Sequence, residues 1–332
     1  MDLSSGLDPA LDGAIVTPPD EPGFGENHAL WLFDAEGRYA LLNSHLQADE
    51  GTWDQRREAF AITLPGGRML TDWATGTGTA AVGPVSHGWS YRCEVPFERW
   101  TARYRGTPRV TDIDAHLVGV IGDDAPRIPV EVDVTMTMVV PAWEQGRFSA
   151  EGTNRELGLQ FIGVPRYEQL FQANVHLVVD GEPTDFEAWG LRTHRYGPRN
   201  MSRFFGHSWT AAVFPSGKAF GSHWFPDENG EELYTEAMVL AGEELVSART
   251  VATPPLTRLS ASGDTFTVEL DTPDGRARID GEIISCSYSM GLGVPRNTGA
   301  LVLCHGMARY RWDGEETYGL CERSALYEVL AG

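Results

Sequence analysis

The segment VEVDVTMTMVV, residues 130–140, constrains the fold more tightly than any other stretch of the chain. In an extended strand Val132, Val134, Met136, Met138 and Val140 share one face, and Asp133, Thr135 and Thr137 share the other. That period of two excludes a helix, and the same pattern recurs along the sequence. HALWLFD and RYALLNSHL flank the turn AEG. EAFAITL and RMLTDWA flank PGG, where Gly66 and Gly67 supply the positive φ angles of a tight turn. WSYRCEV, WTARYRG and IDAHLVGV read as further strands. Later hairpins turn at Asp180-Gly181 and at Pro215-Ser216-Gly217. YTEAMVLA, TFTVELDTPDGRARIDGEI, GALVLCHGMARYRWD and YGLCERSALYEVL follow. Residues 142–169 loosen the pattern and suit a short helix or a crossover. The expectation is an all-β protein of two antiparallel units, each a barrel or a strongly bent sheet, with few short helices. The expected division is a flexible acidic leader over residues 1–25, an N-terminal β domain over 26–165 and a C-terminal β domain over 166–332.

Composition narrows the function. A net charge of −21 over 332 residues repels phosphates, so neither nucleic acid nor an anionic membrane surface is an expected partner. No stretch approaches the roughly 20 apolar residues of a membrane span. The acidic opening MDLSSGLDPALDG lacks the positive charge of a signal peptide, and a cytoplasmic location is expected. Cys93, Cys286, Cys304 and Cys321 form no CxxC pair and read as free thiols. Ten tryptophans suit a core, or equally a pocket for a large apolar ligand. GxSxG, GxxxxGK[ST] and GxGxxG motifs are absent, so no nucleotide or other cofactor is expected. A homodimer is compatible with the sequence.

The chemistry-bearing residues are few. On YTEAMVL, Glu236 shares a face with Tyr234, Met238 and Leu240. A carboxylate among apolar neighbours either finds a cation or becomes a general acid, and both readings stay open. Glu322 shares a face with Tyr318, Leu320, Ser324 and Leu326, an expected inward face of a barrel, where an ion pair to Arg192 or Arg199 is favoured over catalysis. His207 and Trp209 lie on one strand face, with His223 across the next hairpin turn and His194 on an earlier strand. Without an HxH pair or a carboxylate at a telling offset, no metal is expected. In GLRTHRYGPRN, residues 190–200, alternation sends Arg192, His194 and Tyr196 to one side. His194 and Tyr196 are expected to face the cavity, and Arg192 and Arg199 to brace the strand end. Trp189, Trp209, Phe214, Trp224, Tyr234 and Met238 are the expected apolar lining.

GLRTHRYGPRN followed by HSWTAAVFPSGKAF resembles the signature region of the superfamily of carotenoid 1,2-hydratases (hydroxyneurosporene synthases) and AttH-like proteins. SYRCEVPFERWTARYRG and YGLCERS are similar to further blocks of that superfamily, and the resemblance spans the chain from about His28 onward. It implies two lipocalin-like β-barrel halves packed side by side, and hydration, dehydration or cyclisation of hydrophobic alkenes such as terpenoids. One position departs: where the family's motif carries an acid, this chain has Thr193, whose hydroxyl cannot protonate an alkene. The expected function is a cofactor-independent lyase or isomerase acting on a terpenoid, steroid or polyketide by general acid–base catalysis, with His194, Tyr196, His207, Glu236 and Glu322 as its candidate catalytic groups. The alternatives are a lipocalin-like carrier of such a ligand and, more weakly, an accessory protein with a closed pocket.

Overall fold

The computed structural model describes residues 1–49, 51–80, 83–117, 124–290 and 301–331. The chain forms two compact units. The first is Met1–Asp112 with Gly122–Glu144 and Val164–Pro198, and the second is Ile113–Ile121 with Gln145–Gly163 and Arg199–Gly332.

In the first unit the strands are β1 Phe24–Asp34, β2 Ala40–Asp49, β3 Gln55–Thr63, β4 Arg68–Thr77, β5 Thr79–Ala80, β6 Gly83–Pro84, β7 Trp89–Val95, β8 Arg99–Gly106, β9 Arg109–Asp112, β10 Val130–Met138, β11 Trp143–Glu144, β12 Arg166–Val179 and β13 Glu182–Pro198. They form an antiparallel sheet in the order β7-β8-β10-β12-β13-β1-β2-β3-β4-β9, with β11 beside β12 and a separate β5-β6 pair. The sheet rolls on itself. Phe60 of β3 stacks on Tyr104 of β8 with ring centroids 4.0 Å apart, although five strands lie between theirs in the sheet. Leu30, Leu32, Ile62, Trp89, Val134, Met136 and Phe171 fill the inside. Burial along β10 alternates as its sequence demands. Asp180 and Gly181 both take positive φ, 52° and 85°, as a two-residue hairpin turn between β12 and β13 requires.

The second unit is a closed eight-stranded barrel of β14 Gly206–Val213, β15 Ala219–Pro226, β16 Glu232–Ala241, β17 Glu244–Ala252, β18 Thr265–Thr272, β19 Gly275–Met290, β20 Leu301–Trp312 and β21 Glu315–Leu326. Its helices are α1 Ile113–Leu117, α2 Arg155–Ile162 and α3 Tyr327–Ala331. Ala212, Phe220, Ala237, Val268, Ile279, Cys304 and Tyr310 belong to the apolar core that packs the barrel lumen.

Several expectations need correcting. Residues 166–198 pair within the first unit's sheet, so GLRTHRYGPRN belongs to that unit and the division falls after Pro198, not at residue 165. The flexible leader does not describe residues 1–13. A short 3-10 turn, Pro9–Asp12, carries Asp12 to full burial, and Gln169 Nε2 donates to Leu3 O at 3.0 Å. Within IDAHLVGV, residues 113–117 form α1, where Ile113 joins the barrel's core, and residues 118–120 lie outside the described residues.

Candidate functional site

Strand register in the barrel lines up five side chains. Glu236 on β16 pairs with His223 on β15, His223 with Trp209 on β14, Trp209 with Glu322 on β21, and Glu322 with His305 on β20. Their strand neighbours Ala237, Cys304 and Cys321 belong to the lumen core, so this row points outward. The expectation that Glu322 faces the inside of a barrel is therefore reversed. The row is nonetheless buried, no member being more than 7% exposed. Segments of the same unit lie over it. Gly146 N donates to Glu236 Oε2 at 2.9 Å, Phe161 of α2 packs against Phe225, and the Phe204 ring lies 5.6 Å from that of His207.

Glu322 organises the centre of this face. His305 Nδ1 donates to its Oε2 at 2.6 Å and His207 Nε2 donates to its Oε1 at 3.1 Å. His207 Nδ1 lies 2.5 Å from Ser324 Oγ, which donates to it when the ring is neutral. Burial alone would raise the Glu322 carboxyl, but the two histidines outweigh it and hold the group well below the ordinary carboxylate range. Burial lowers His207, with Glu322 opposing, which keeps that ring neutral. His305 Nε2 is buried and has no hydrogen-bond partner among the described residues. Around these groups stand Trp209, stacked on His223 at 5.1 Å, and Phe225, whose ring stacks 6.0 Å from His207.

The first unit holds a second carboxylate–histidine cluster. Glu26 and His28 on β1 follow the same face as Leu30 and Leu32, so they point inside the rolled sheet. His28 pairs with His194 of β13 in register, and the rings stack 3.9 Å apart at 20°. Glu26 Oε1 accepts from Ile15 N at 2.7 Å, His194 Nε2 at 3.0 Å and His28 Nε2 at 3.3 Å, while Oε2 accepts from Arg56 Nη2 at 3.1 Å. Burial would raise Glu26, but these donors hold it well below its ordinary range. Burial, helped by the neighbouring His194, brings His28 down to about 4. Beside them Arg192 Nη1 pairs with Asp12 at 2.7 Å. The ligand atoms of Glu26, His28 and His194 lie within 4.8 Å of one another, close enough for a cation. Two nearly parallel stacked imidazoles, however, cannot both aim in-plane lone pairs at one ion, so this trio fits a metal poorly.

The family model described as "Domain of unknown function (DUF7064)" matches residues 21–326. The chain belongs to this family. No curated protein matches the sequence of this chain. Among solved structures, a protein assigned as AttH from Nitrosomonas europaea is similar, with a TM-score of 0.59, 12% identity, and 93% of this chain and 97% of that one covered. CghA, solved with Sch210972, gives a TM-score of 0.53 at 11% identity over 96% of both chains. Kievitone hydratase from Nectria haematococca overlays less well, with a TM-score of 0.48 at 13% identity over 94% of this chain and 92% of that one. The DUF7064 chain has the AttH-like, all-β fold.

The residues singled out by sequence divide between the units. Glu236, His207, Trp209, Glu322, Tyr234 and Met238 come together on the outer face of the barrel. His194, Tyr196 and Trp189 belong to the first unit, so the expected single set of five catalytic groups is two sets. Phe214 is part of the lumen core, and Trp224 takes the opposite side of β15 from His223. Glu322 is held by histidines rather than by arginine. Arg192 pairs with Asp12 instead, and Arg199 Nε donates to Phe161 O at 2.6 Å. Sequence reading missed His305. Its only signal was parity: His305 alternates with Cys304 and Gly306 on a strand whose register to β21 is not written locally.

Proposed function

We propose that this DUF7064 protein is a cofactor-independent lyase or isomerase for a hydrophobic small molecule, in which His305 Nε2 accepts the proton. The observation that carries this reading is the buried, unpartnered Nε2 of a ring whose opposite nitrogen donates to Glu322. That hydrogen bond fixes the tautomer, leaves the lone pair on Nε2 and stabilises the imidazolium formed when the proton arrives. His207, whose Nδ1 is bonded to Ser324, is the second donor that keeps Glu322 ionised.

This chemistry favours a substrate whose C–H is acidified by a neighbouring carbonyl. Imidazole suits proton removal beside a carbonyl, as in shifting a double bond or expelling water from a β-hydroxy ketone. Hydration of an isolated alkene, the reaction of the carotenoid hydratases, needs a strong acid, and an ionised Glu322 is not one. Trp209, Phe225, Tyr234 and Met238 on the same face favour an apolar skeleton of the terpenoid, steroid or polyketide kind. CghA, which shares the fold, was solved with Sch210972, and this supports a small-molecule role.

The test is incubation with a panel of apolar enones and β-hydroxy ketones in deuterated water, followed by mass spectrometry. Deuterium incorporation or loss of water is expected with the native protein and not with His305→Gln. Binding of panel members with no exchange by the native protein would leave the carrier alternative standing in its place.

A further inference from the structure

Asp12 occupies a cage built for a carboxylate. Its Oδ2 accepts from Phe97 N at 2.5 Å and Trp100 Nε1 at 2.8 Å, and its Oδ1 accepts from Tyr167 Oη at 2.5 Å and Arg192 Nη1 at 2.7 Å. Two donors per oxygen come close to saturating a carboxylate. The cage is preorganised by the sheet. Gln169 Oε1 accepts from Arg192 Nη2 at 2.6 Å, and the guanidinium lies over the Trp100 and Tyr167 rings at 4.9 and 5.4 Å. Phe97, in the turn between β7 and β8, holds a φ of 58°, an uncommon conformation for an aromatic residue, while its N–H points at the carboxylate.

The cage and its occupant differ in origin. These four donors belong to β8, β12, β13 and the β7–β8 turn, and a longer thiol contact from Cys93 of β7 reaches Oδ2 at 3.8 Å, whereas Asp12 rides on a four-residue turn outside the sheet. The segment is also held by main-chain oxygens at Leu3 and Leu11, taken by Gln169, Ala142 N and His194, by Ile15 N on Glu26, and by Leu3 and Leu7 packing against Phe97, Ala142 and Tyr167. Beside the cage, and sharing Trp100 and Arg192 with it, lies a cavity of about 20 Å³ lined also by His28, Tyr91 and Met136. That is room for about one water molecule, so the cage borders space for a ligand one or two atoms larger than the Asp12 side chain.

We propose that this cage is a binding site for small monocarboxylates, of formate to propionate size, and that the chain's own N-terminal segment is its resident, exchangeable ligand. The site is independent of the His305 chemistry.

Asp12→Ala vacates the cage. Thermal unfolding of the variant is compared in sodium formate and in sodium chloride at matched ionic strength, with the native protein as control. A saturable rise in Tm of several degrees with formate, confined to the variant, is expected, and so is recovery of folding if the variant is unfolded in chloride. A variant that gains no more than the native protein, or stays unfolded in both salts, overturns the site. Exchange of the resident is read in the native protein by hydrogen exchange at the amides of Leu7 and Leu11, which are bonded within the segment to Ser4 O and Asp8 O. Their exchange is expected to accelerate as propionate is raised. Unchanged exchange means Asp12 is a fixed internal partner, and the exchangeable ligand is withdrawn.

Discussion

Each unit of this chain buries one glutamate that holds two histidines, and the two arrangements differ in what they leave unsatisfied. In the first unit Glu26 takes four donors on its two oxygens, and His194 Nδ1 has a further partner in Leu11 O. In the second, Glu322 takes two donors, both histidines, and His305 Nε2 has no partner among the described residues. A buried nitrogen left unpaired costs about 1–3 kcal/mol, and a chain keeps such a group where it has a use. Under the proposed function the contrast separates a polar cluster that braces a fold from one that meets a ligand. On that proposal it also moves the proton-accepting role to His305 from His194, one of the five candidates that the sequence offered.

The sharpest way to break this comparison is to exchange its two halves by mutation. His305→Gln is expected to cut turnover by about 10²- to 10⁴-fold, the usual worth of a positioned base, with little change in Tm. His194→Ala should leave turnover per folded molecule near native. Were the effects reversed, the saturated cluster would be the reactive one. Next in size is Glu26→Ala, which strands Arg56 and two histidines in a buried place. A loss of about 3–5 kcal/mol in denaturant-derived stability is expected, with activity retained in the folded fraction.

Acidity sharpens the same contrast. His28 in the folded chain titrates near 4, because burial and the adjacent His194 resist its charge. Its contribution to stability is complete above the unfolded value of about 6.5 and is lost as pH falls towards 4. Over that window the unfolded chain binds a proton that the folded chain refuses, at a slope of up to about 1.4 kcal/mol per pH unit. Urea melts between pH 7 and pH 4 should show this slope, and His28→Gln should flatten it. His207 is shifted in the same direction, also by burial, and adds to the slope from the second unit. Glu26 and Glu322, both held low, lose their contributions only below about 4.3, the unperturbed glutamate value.

How much of this was legible in the sequence follows from the range of each interaction. Alternation in residues 130–140 gave β10 its buried face, and Asp180-Gly181 gave the turn between β12 and β13, because both are decided by adjacent residues. Placing His207, Trp209 and Glu322 on common strand faces needed only parity. Joining His207 to Ser324 needed the barrel to close β21 onto β14, a pairing of residues 117 apart in sequence, and nothing local encodes it. His305 was invisible for the same reason. Asp12 misled in the opposite direction. Acid and proline around it read as solvated chain, while its four donors sit at positions 97, 100, 167 and 192.

The smallest expected effect tests the far end of the row. Glu236 stands two strands from Trp209, and its placement permits either a second acid–base group or a brace. Its Oε2 accepts from Gly146 N at 2.9 Å, and Ser149 bridges to it in register, which ties the 146–149 segment to β16. A brace depends on accepting hydrogen bonds, not on exchanging protons, and an amide can still accept. Glu236→Gln should therefore weaken that tie by only about 1 kcal/mol, the difference between a charge-assisted and a neutral bond, and lower turnover less than tenfold. A loss as large as that of His305→Gln, with Tm preserved, would make Glu236 a partner in proton transfer and extend the reactive centre along the whole row.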